Sequence, residues 1–547
     1  MKSILSIFIV LCYFNSTAQT NTTHQADIVI YGGTSSAIVA AVKAKQLGHS
    51  VLVVSPDKHL GGVSSSGLGY TDSGNSRLIG GLSKTFYQKV YNYYQDIKVW
   101  HWESMEDFHG EGQGTSAINT QSKTMWVFEP HAAEHIFDTW VAENNITVLK
   151  EEWLDRNKPI IKASTTIKSF YTLSGKKIEG KIFIDATYEG DLMAAAGVSY
   201  HVGRESNAVY NETYNGVQKE VYQHKHNFKK LKISPYLSPR HKESGLLAKI
   251  SNQNPGKNGD GDHRVEAYCF RMCLTKVPHN RIPISKPEDY NPMDYELLAR
   301  VYKKGWKATF QKFDGIPNLK TDVNNHGPFS MDNIGMNYDY PEASYEERKA
   351  IAIEHRRYQE GLLYFTATDS RVPKKIREEM QKWGYPKDEF TDNGGFPHQL
   401  YVREARRMVG DYVMTEHNVL GKSDTNASIG VGSYALDSHN TQRYVTAEGH
   451  VENEGDIGVE PPHPYKIDKG TILPKASECT NLIVPVCVSS SHTAYGSIRM
   501  EPVFMILGES ASQIASLAIQ NKVKVQDVNY KELQPLLIKS GQILENK

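Results

Sequence analysis

The pattern of apolar and polar positions is clearest near the start of the chain. Asp27–Tyr31 is a short β-branched run, and the chain then turns on Gly32-Gly33 into a segment whose apolar positions Ala37, Ile38, Ala41, Ala44 and Leu47 fall on one helical face. Gly48 stands where a helix C-cap belongs, and Val51–Val54 reads as a second strand. Further on, the spacing predicts a helix over 84–94, a polar loop around 100–114, a helix over 131–143 begun by Pro130, and a strand at 147–150. Residues 165–173 and 177–184 alternate as a hairpin, which empties into Asp185-Ala186-Thr187-Tyr188-Glu189-Gly190-Asp191. Asp191 is expected to cap a short helix over 192–196.

From about residue 206 to 390 the composition shifts towards Asn, Asp, Tyr and Pro, with few long apolar periods. Asn258–Arg264 begins like a calcium loop but lacks the closing Glu, so it reads as a solvated turn. Leu400–His417 has helical and strand-like parts, and if the segment is helical the spacing puts Arg403, Arg406 and Arg407 on one face. Asn481–Val488 reads as a buried strand, and 498–519 as one long apolar helix containing Gly508.

The strand, glycine turn and helix at 27–47 carry a specific chemistry. A tight glycine turn at a helix N-terminus lets backbone N–H groups and the positive end of the helix dipole approach a pyrophosphate. Against the dinucleotide fingerprint, Gly32 fills the first glycine position, Thr34 the second and Ala37 the third, with Gly33, Ser35 and Ser36 between them. The acidic residue expected to bind the ribose, about 20 residues on, is replaced by Ser55 at the end of the second strand. Ser55 and Asp57 both stay open for that contact. A glycine and serine loop follows, Leu60-Gly61-Gly62-Val63-Ser64-Ser65-Ser66-Gly67-Leu68-Gly69, which a nicotinamide-binding domain does not need.

With this loop the chain resembles the FAD-dependent oxidoreductases of glutathione-reductase-like fold, in particular the FAD-oxidoreductase family with its secreted Bacteroidota-type members, distantly related to fumarate reductase flavoproteins. The resemblance implies an α/β, Rossmann-type FAD-binding domain built from N- and C-terminal segments, with a large α+β substrate-side insertion. Its implied boundaries are 26–205 and 471–525 for the FAD domain, 206–470 for the insertion and 526–547 for a C-terminal tail. The cofactor implied is non-covalent FAD, with contacts from Gly32, Gly33, Thr34, Ser35, Ser36, Ala37, Ser55, Gly61, Gly62, Ser66, Gly67, Thr187 and Gly508. Family members usually carry Glu where Ser55 stands. They also carry an Arg-Glu-x-Arg-Arg stretch matching Arg403–Arg407, which implies an arginine at the flavin cavity. The last helix is implied to aim its N-terminus at the flavin pyrimidine, where Arg499 adds a charge that favours the reduced state.

Composition narrows the partners. Equal numbers of basic and acidic residues, 62 of each, give no electrostatic case for nucleic acid or an anionic membrane surface. Met1–Ala18 has one lysine, an apolar run and small residues at its end, the pattern of a cleaved signal peptide (residues 1–18) and hence of a secreted or periplasmic protein without a membrane span. Of five cysteines, Cys269, Cys273, Cys479 and Cys487 lie beyond that segment. They form no Cys-x-x-Cys, any pairing stays open among three connectivities, buried free thiols are the expected state, and no metal site is expected.

The expected activity is hydride transfer between a small polar substrate, carbohydrate-derived on this reading, and flavin N5. His439 and His492 are the two candidates for the proton-accepting base. One rival is reduction of an activated double bond with Arg403 or Arg499 clamping a carboxylate. The other is a non-catalytic glycan-binding protein on a flavoprotein fold. Neither the electron acceptor nor the oligomeric state is encoded in a recognisable motif.

Overall fold

The computed structural model describes residues 22–219, 224 and 226–546. The expected signal peptide and Cys12 lie outside the described residues. Strands β1 (Thr23–Tyr31), β2 (Val51–Val54), β3 (Thr147–Leu149), β4 (Ile161–Ala163), β5 (Thr166–Tyr171) and β6 (Lys177–Asp185) form the main sheet in the order β3-β2-β1-β6-β5-β4. The first four strands in that order are parallel, whereas β5 and β4 run antiparallel as the hairpin pattern predicts. Helix α1 (Ser35–Gln46) crosses from β1 to β2, and its residues Ser35–Ala44 are all buried. Such complete burial explains why the small residues of this helix matter as much as its apolar stripe.

A second sheet, formed by five short strands between Met272 and Pro386, builds the insertion together with the long helix α2 (Tyr345–Thr368). The Ser344 hydroxyl and the Glu347 carboxylate cap that helix reciprocally. The chain then returns to the first sheet through β7 (Leu482–Ile483), which pairs in parallel with β6. Two helices follow, α3 (His492–Ile498) and α4 (Glu501–Asn521). The single helix expected over 498–519 is therefore broken at Arg499–Met500. Pro502 in the first turn of α4 explains the break, because proline lacks an N–H and suits a helix start.

Helix α4 packs along α1, and Gly508 is the point of closest approach. A Cβ there would collide with the Ser36 carbonyl and hydroxyl oxygens. Gly508→Ala should cost about 1–3 kcal/mol as an overpacking change, read as a lowered midpoint in chemical denaturation with an unchanged slope. Within the expected C-terminal tail lies helix α5 (Tyr530–Lys539), and Gln542 beyond it accepts a hydrogen bond from the Ser510 hydroxyl of α4 at 2.9 Å. Among the described residues only α4 is long and apolar enough to cross a membrane, and it lies inside the fold.

Candidate functional site

At the C-terminal ends of β1 and β6 the two strands converge. Gly32 takes a left-handed backbone (φ +124°), and a Cβ on it would lie 2.8 Å from the Ala186 carbonyl oxygen, so only glycine fits. Thr34, standing at the second glycine position, has an ordinary φ of −68° and needs no glycine. Its hydroxyl accepts from Ala37 N–H at 3.2 Å, capping α1, and donates to Ala186 O at 2.7 Å.

Outside this turn opens a cleft of about 580 Å³ bordered by Gly33, Thr34, Asp57, Thr187, Tyr188 and Glu189, with Tyr345, Arg348 and Leu400 opposite. Ser55 does not reach it. Its hydroxyl is enclosed in a turn with Asp57, donating to Asp57 O at 3.0 Å and accepting from Asp57 N–H at 3.1 Å. Asp57 itself borders the cleft, where burial and the nearby Glu189 charge push its carboxyl up to about 7. Of the two residues expected at the ribose, only Asp57 borders the cleft.

Several residues expected to touch the cofactor are instead occupied by the protein. The Ser35 hydroxyl donates to the Glu501 carboxylate at the start of α4, which also accepts from Ser64 at 3.1 Å and from Tyr188 at 2.7 Å. Ser36 and Gly508 form the contact between α1 and α4, and Ala37 is fully buried behind the cap. In the glycine loop, Gly61 N–H donates to Gly33 O at 2.7 Å, the Tyr188 phenol lies against Gly62, and the Arg271 carbonyl lies against Gly67. Ser66 is buried among them. Close backbone packing, rather than an open ligand surface, is what these small residues provide. Only Gly33, Thr34 and Thr187 of the expected set border the cleft.

A second and more polar cavity, of about 640 Å³, lies on the insertion side. Tyr70, Asp72, Lys312, Asp314, Asp437 and His439 are among its walls. His439 Nδ1 lies 2.7 Å from the Asp332 carboxylate, which leaves Nε2 as the other ring nitrogen, 3.9 Å from Asp437. Burial opposes the charge on Asp332, but the Arg403 guanidinium at 3.0 Å and the His439 ring overcome it and hold the carboxyl below its usual range. Arg403 therefore stands behind Asp332 and His439 and is not part of the cavity wall.

The other two expected catalytic groups are likewise placed by their partners. Arg499 is buried with Glu266 at 3.1 Å, Asp437 at 3.2 Å and the Tyr401 hydroxyl at 3.1 Å, so its charge is already paired. His492 is only 2% exposed, with Nδ1 2.8 Å from the Glu404 carboxylate and Nε2 3.2 Å from the Ser438 hydroxyl. It borders neither cavity. Arg403, Arg406 and Arg407 share no helix, since Arg406 and Arg407 lie in a strand paired to Tyr200–Val202 and Arg403 precedes it. Their side chains consequently go to different places: Arg406 to Asp191 and Glu342, Arg407 to Glu205 and Glu404. Asp191 is held by Arg348 and Arg406 and caps nothing, since left-handed Gly190 precedes the short helix.

Burial, reinforced by the Arg407 charge, pulls the ionisation of His492 down to about 4, and burial does the same to His355. Each ring is therefore neutral in the folded chain at pH values where the unfolded chain binds a proton. Their stabilising contribution is complete above about pH 6.5 and is lost as pH falls towards 4, on the order of 3 kcal/mol per ring. Replacing His355 by Gln should flatten the acid side of a stability-against-pH curve measured by urea unfolding.

The family model for FAD-dependent oxidoreductases matches residues 27–537, both sheets included. The chain belongs to that family. Its cofactor is FAD and it is an oxidoreductase. The cleft at Gly33, with Thr34 capping α1 beside it, presents a helix N-terminus of the kind that takes a pyrophosphate. No curated protein matches the chain.

Among solved structures, L-proline dehydrogenase from P. horikoshii is similar at 15% identity over 34% of this chain and 59% of its own, with a TM-score of 0.23. Glycine oxidase from Geobacillus kaustophilus is similar at 12% identity over 34% and 64%, also with a TM-score of 0.23. L-amino acid deaminase from Proteus vulgaris gives 14% identity over 33% and 52%, again with a TM-score of 0.23. The matched part thus spans between 52% and 64% of these three chains.

Sequence reasoning missed Asp332, Tyr188, Glu189 and Glu501. Tyr188 and Glu189 were within reach, since they continue the Asp-Ala-Thr turn at the end of β6. Asp332 lies in a polar stretch without periodicity and meets His439 only through the fold.

Proposed function

We propose that this FAD-dependent oxidoreductase is a secreted or periplasmic enzyme that oxidises a small, hydroxyl-bearing substrate, carbohydrate-derived, bound in the polar cavity beside His439. The pairing of His439 with Asp332 on the wall of that cavity carries the reading. Nδ1–H donates to the carboxylate, which fixes the tautomer and leaves the Nε2 lone pair to accept the hydroxyl proton of the substrate. Arg403 keeps Asp332 ionised, so the carboxylate stabilises the imidazolium that results. Asp72, Asp314 and Asp437 offer acceptors to further hydroxyls of the substrate, with Tyr70 as an apolar wall.

Bound FAD supplies the acceptor for the hydride released from the same carbon. Gly33, Thr34, Asp57, Thr187 and Tyr188 are the residues proposed to hold its nucleotide end. The reverse chemistry, with Arg403 or Arg499 clamping a substrate carboxylate, has less support because both guanidinium groups are already paired with buried carboxylates.

Anaerobic flavin bleaching across sugars, uronic acids, amines and hydroxy acids tests the proposal. Bleaching by sugars or related polyols is expected. Bleaching by none of them, together with reoxidation of chemically reduced protein by an activated alkene, would reverse the direction of the reaction. A purified protein without flavin bands even after incubation with FAD would favour the glycan-binding alternative.

A further inference from the structure

Three groups of side chains in the described residues bring metal-ligating atoms within 4.8 Å of one another. One, Glu129 with His131 and Glu389, already encloses the Lys320 ammonium, 2.7 Å from each glutamate, so its charge is satisfied without an ion. Another, His59 with Asp392 and His398, is a surface group whose aspartate also pairs with Lys58. The third is His224, His226 and Asp456, all on the wall of the polar cavity.

This third group differs in what it leaves unused. Asp456 is 4% exposed, and its Oδ2 is buried with no hydrogen-bond partner. Oδ1 has the His224 ring nitrogen Nδ1 at 2.6 Å. The two imidazoles lie side by side, with ring centroids 5.3 Å apart and planes 23° from parallel. A buried carboxylate oxygen without a partner costs free energy unless something binds it. Asp72, Asp314, Asp437 and Glu460 line the same cavity against the single lysine Lys312, so the surroundings favour a cation.

We propose that His224, His226 and Asp456 bind one divalent transition-metal ion of the zinc type on the wall of the cavity. Two imidazoles and a carboxylate form the donor set that such ions take when a position is left open. The open position faces the cavity, and it would accept paired oxygen donors such as a vicinal diol or an α-hydroxy acid. That choice of ligand rests on the cavity being the substrate site, whereas the metal site itself does not.

The test is zinc content of the FAD-loaded protein, stripped with a chelator, dialysed against zinc chloride and measured by mass spectrometry, in a His398→Ala background that removes the surface group. About one zinc per chain is expected. His226→Ala and Asp456→Asn should each abolish it while the flavin spectrum persists, and Asp456→Glu should restore it. Absence of zinc from the background protein would overturn the proposal, as would unchanged zinc content in both His226→Ala and Asp456→Asn. If His226→Ala loses its flavin, Asp456→Asn against wild type decides by itself, because that change keeps the side-chain shape and removes only the charged oxygen. No substrate is present in this experiment, so a negative result leaves the cavity's reading as the substrate site intact.

Discussion

Gly32→Val is expected to produce a protein that no longer retains FAD. The backbone of Gly32 has φ +124°, a region that a β-branched residue does not adopt without strain on the order of 1–3 kcal/mol. Its Cβ would also sit 2.8 Å from Ala186 O and 3.1 Å from Thr187 N. Relief requires β1 and β6 to part at the point where the cleft begins, and that displaces Thr34 and Thr187 together. The fold itself should be weakened as well as the cofactor site, since both strands are central to the sheet.

Thermal melts with and without added FAD separate the two effects. Wild type should melt higher with FAD, by mass action, while the variant should melt lower and ignore the cofactor. Gly48→Ala is the matched control. Gly48 also has a positive φ, +85°, but a Cβ there meets nothing within 4 Å, so it should cost only backbone strain and leave FAD binding unchanged.

Much of the fold was legible because local patterns and tertiary packing agree. The β-branched run at 27–31, the glycine turn, the hairpin at 165–184 and the helix begun by Pro130 all form where periodicity places them. The Arg403–Arg407 segment stayed open between helix and strand because a spacing of three and four residues suits a helix, whereas the partner of Arg406 and Arg407 is the strand Tyr200–Val202, far away in sequence. Strand-like character over 481–488 shrinks to Leu482–Ile483, because the following chain bends away from β6 towards α3.

The candidate site was legible only in part. Of the residues expected at the cofactor, Gly33, Thr34 and Thr187 border the cleft, but the sequence could not show that Glu501 claims the Ser35 hydroxyl or that Gly508 serves helix packing. Two histidines carried equal claims to the base, and nothing local distinguishes them. What separates them is long-range: Glu404 and Arg407 enclose His492, while Asp332 turns His439 towards open space.

That separation gives the most direct test of the proposed chemistry. Stopped-flow reduction of the flavin by the substrate class found in the bleaching panel should be compared in wild type, His439→Ala and His492→Ala between pH 6 and 9. The account predicts that His439→Ala keeps FAD and slows reduction by about 10²–10⁴-fold, the usual worth of general acid–base catalysis. The loss should shrink as pH rises, because more of the substrate hydroxyl is then deprotonated without help. His492→Ala should reduce at nearly the wild-type rate, with any deficit independent of pH and accompanied by lower stability. A wild-type rate in His439→Ala with a pH-dependent loss in His492→Ala would contradict the account and move the base out of the cavity.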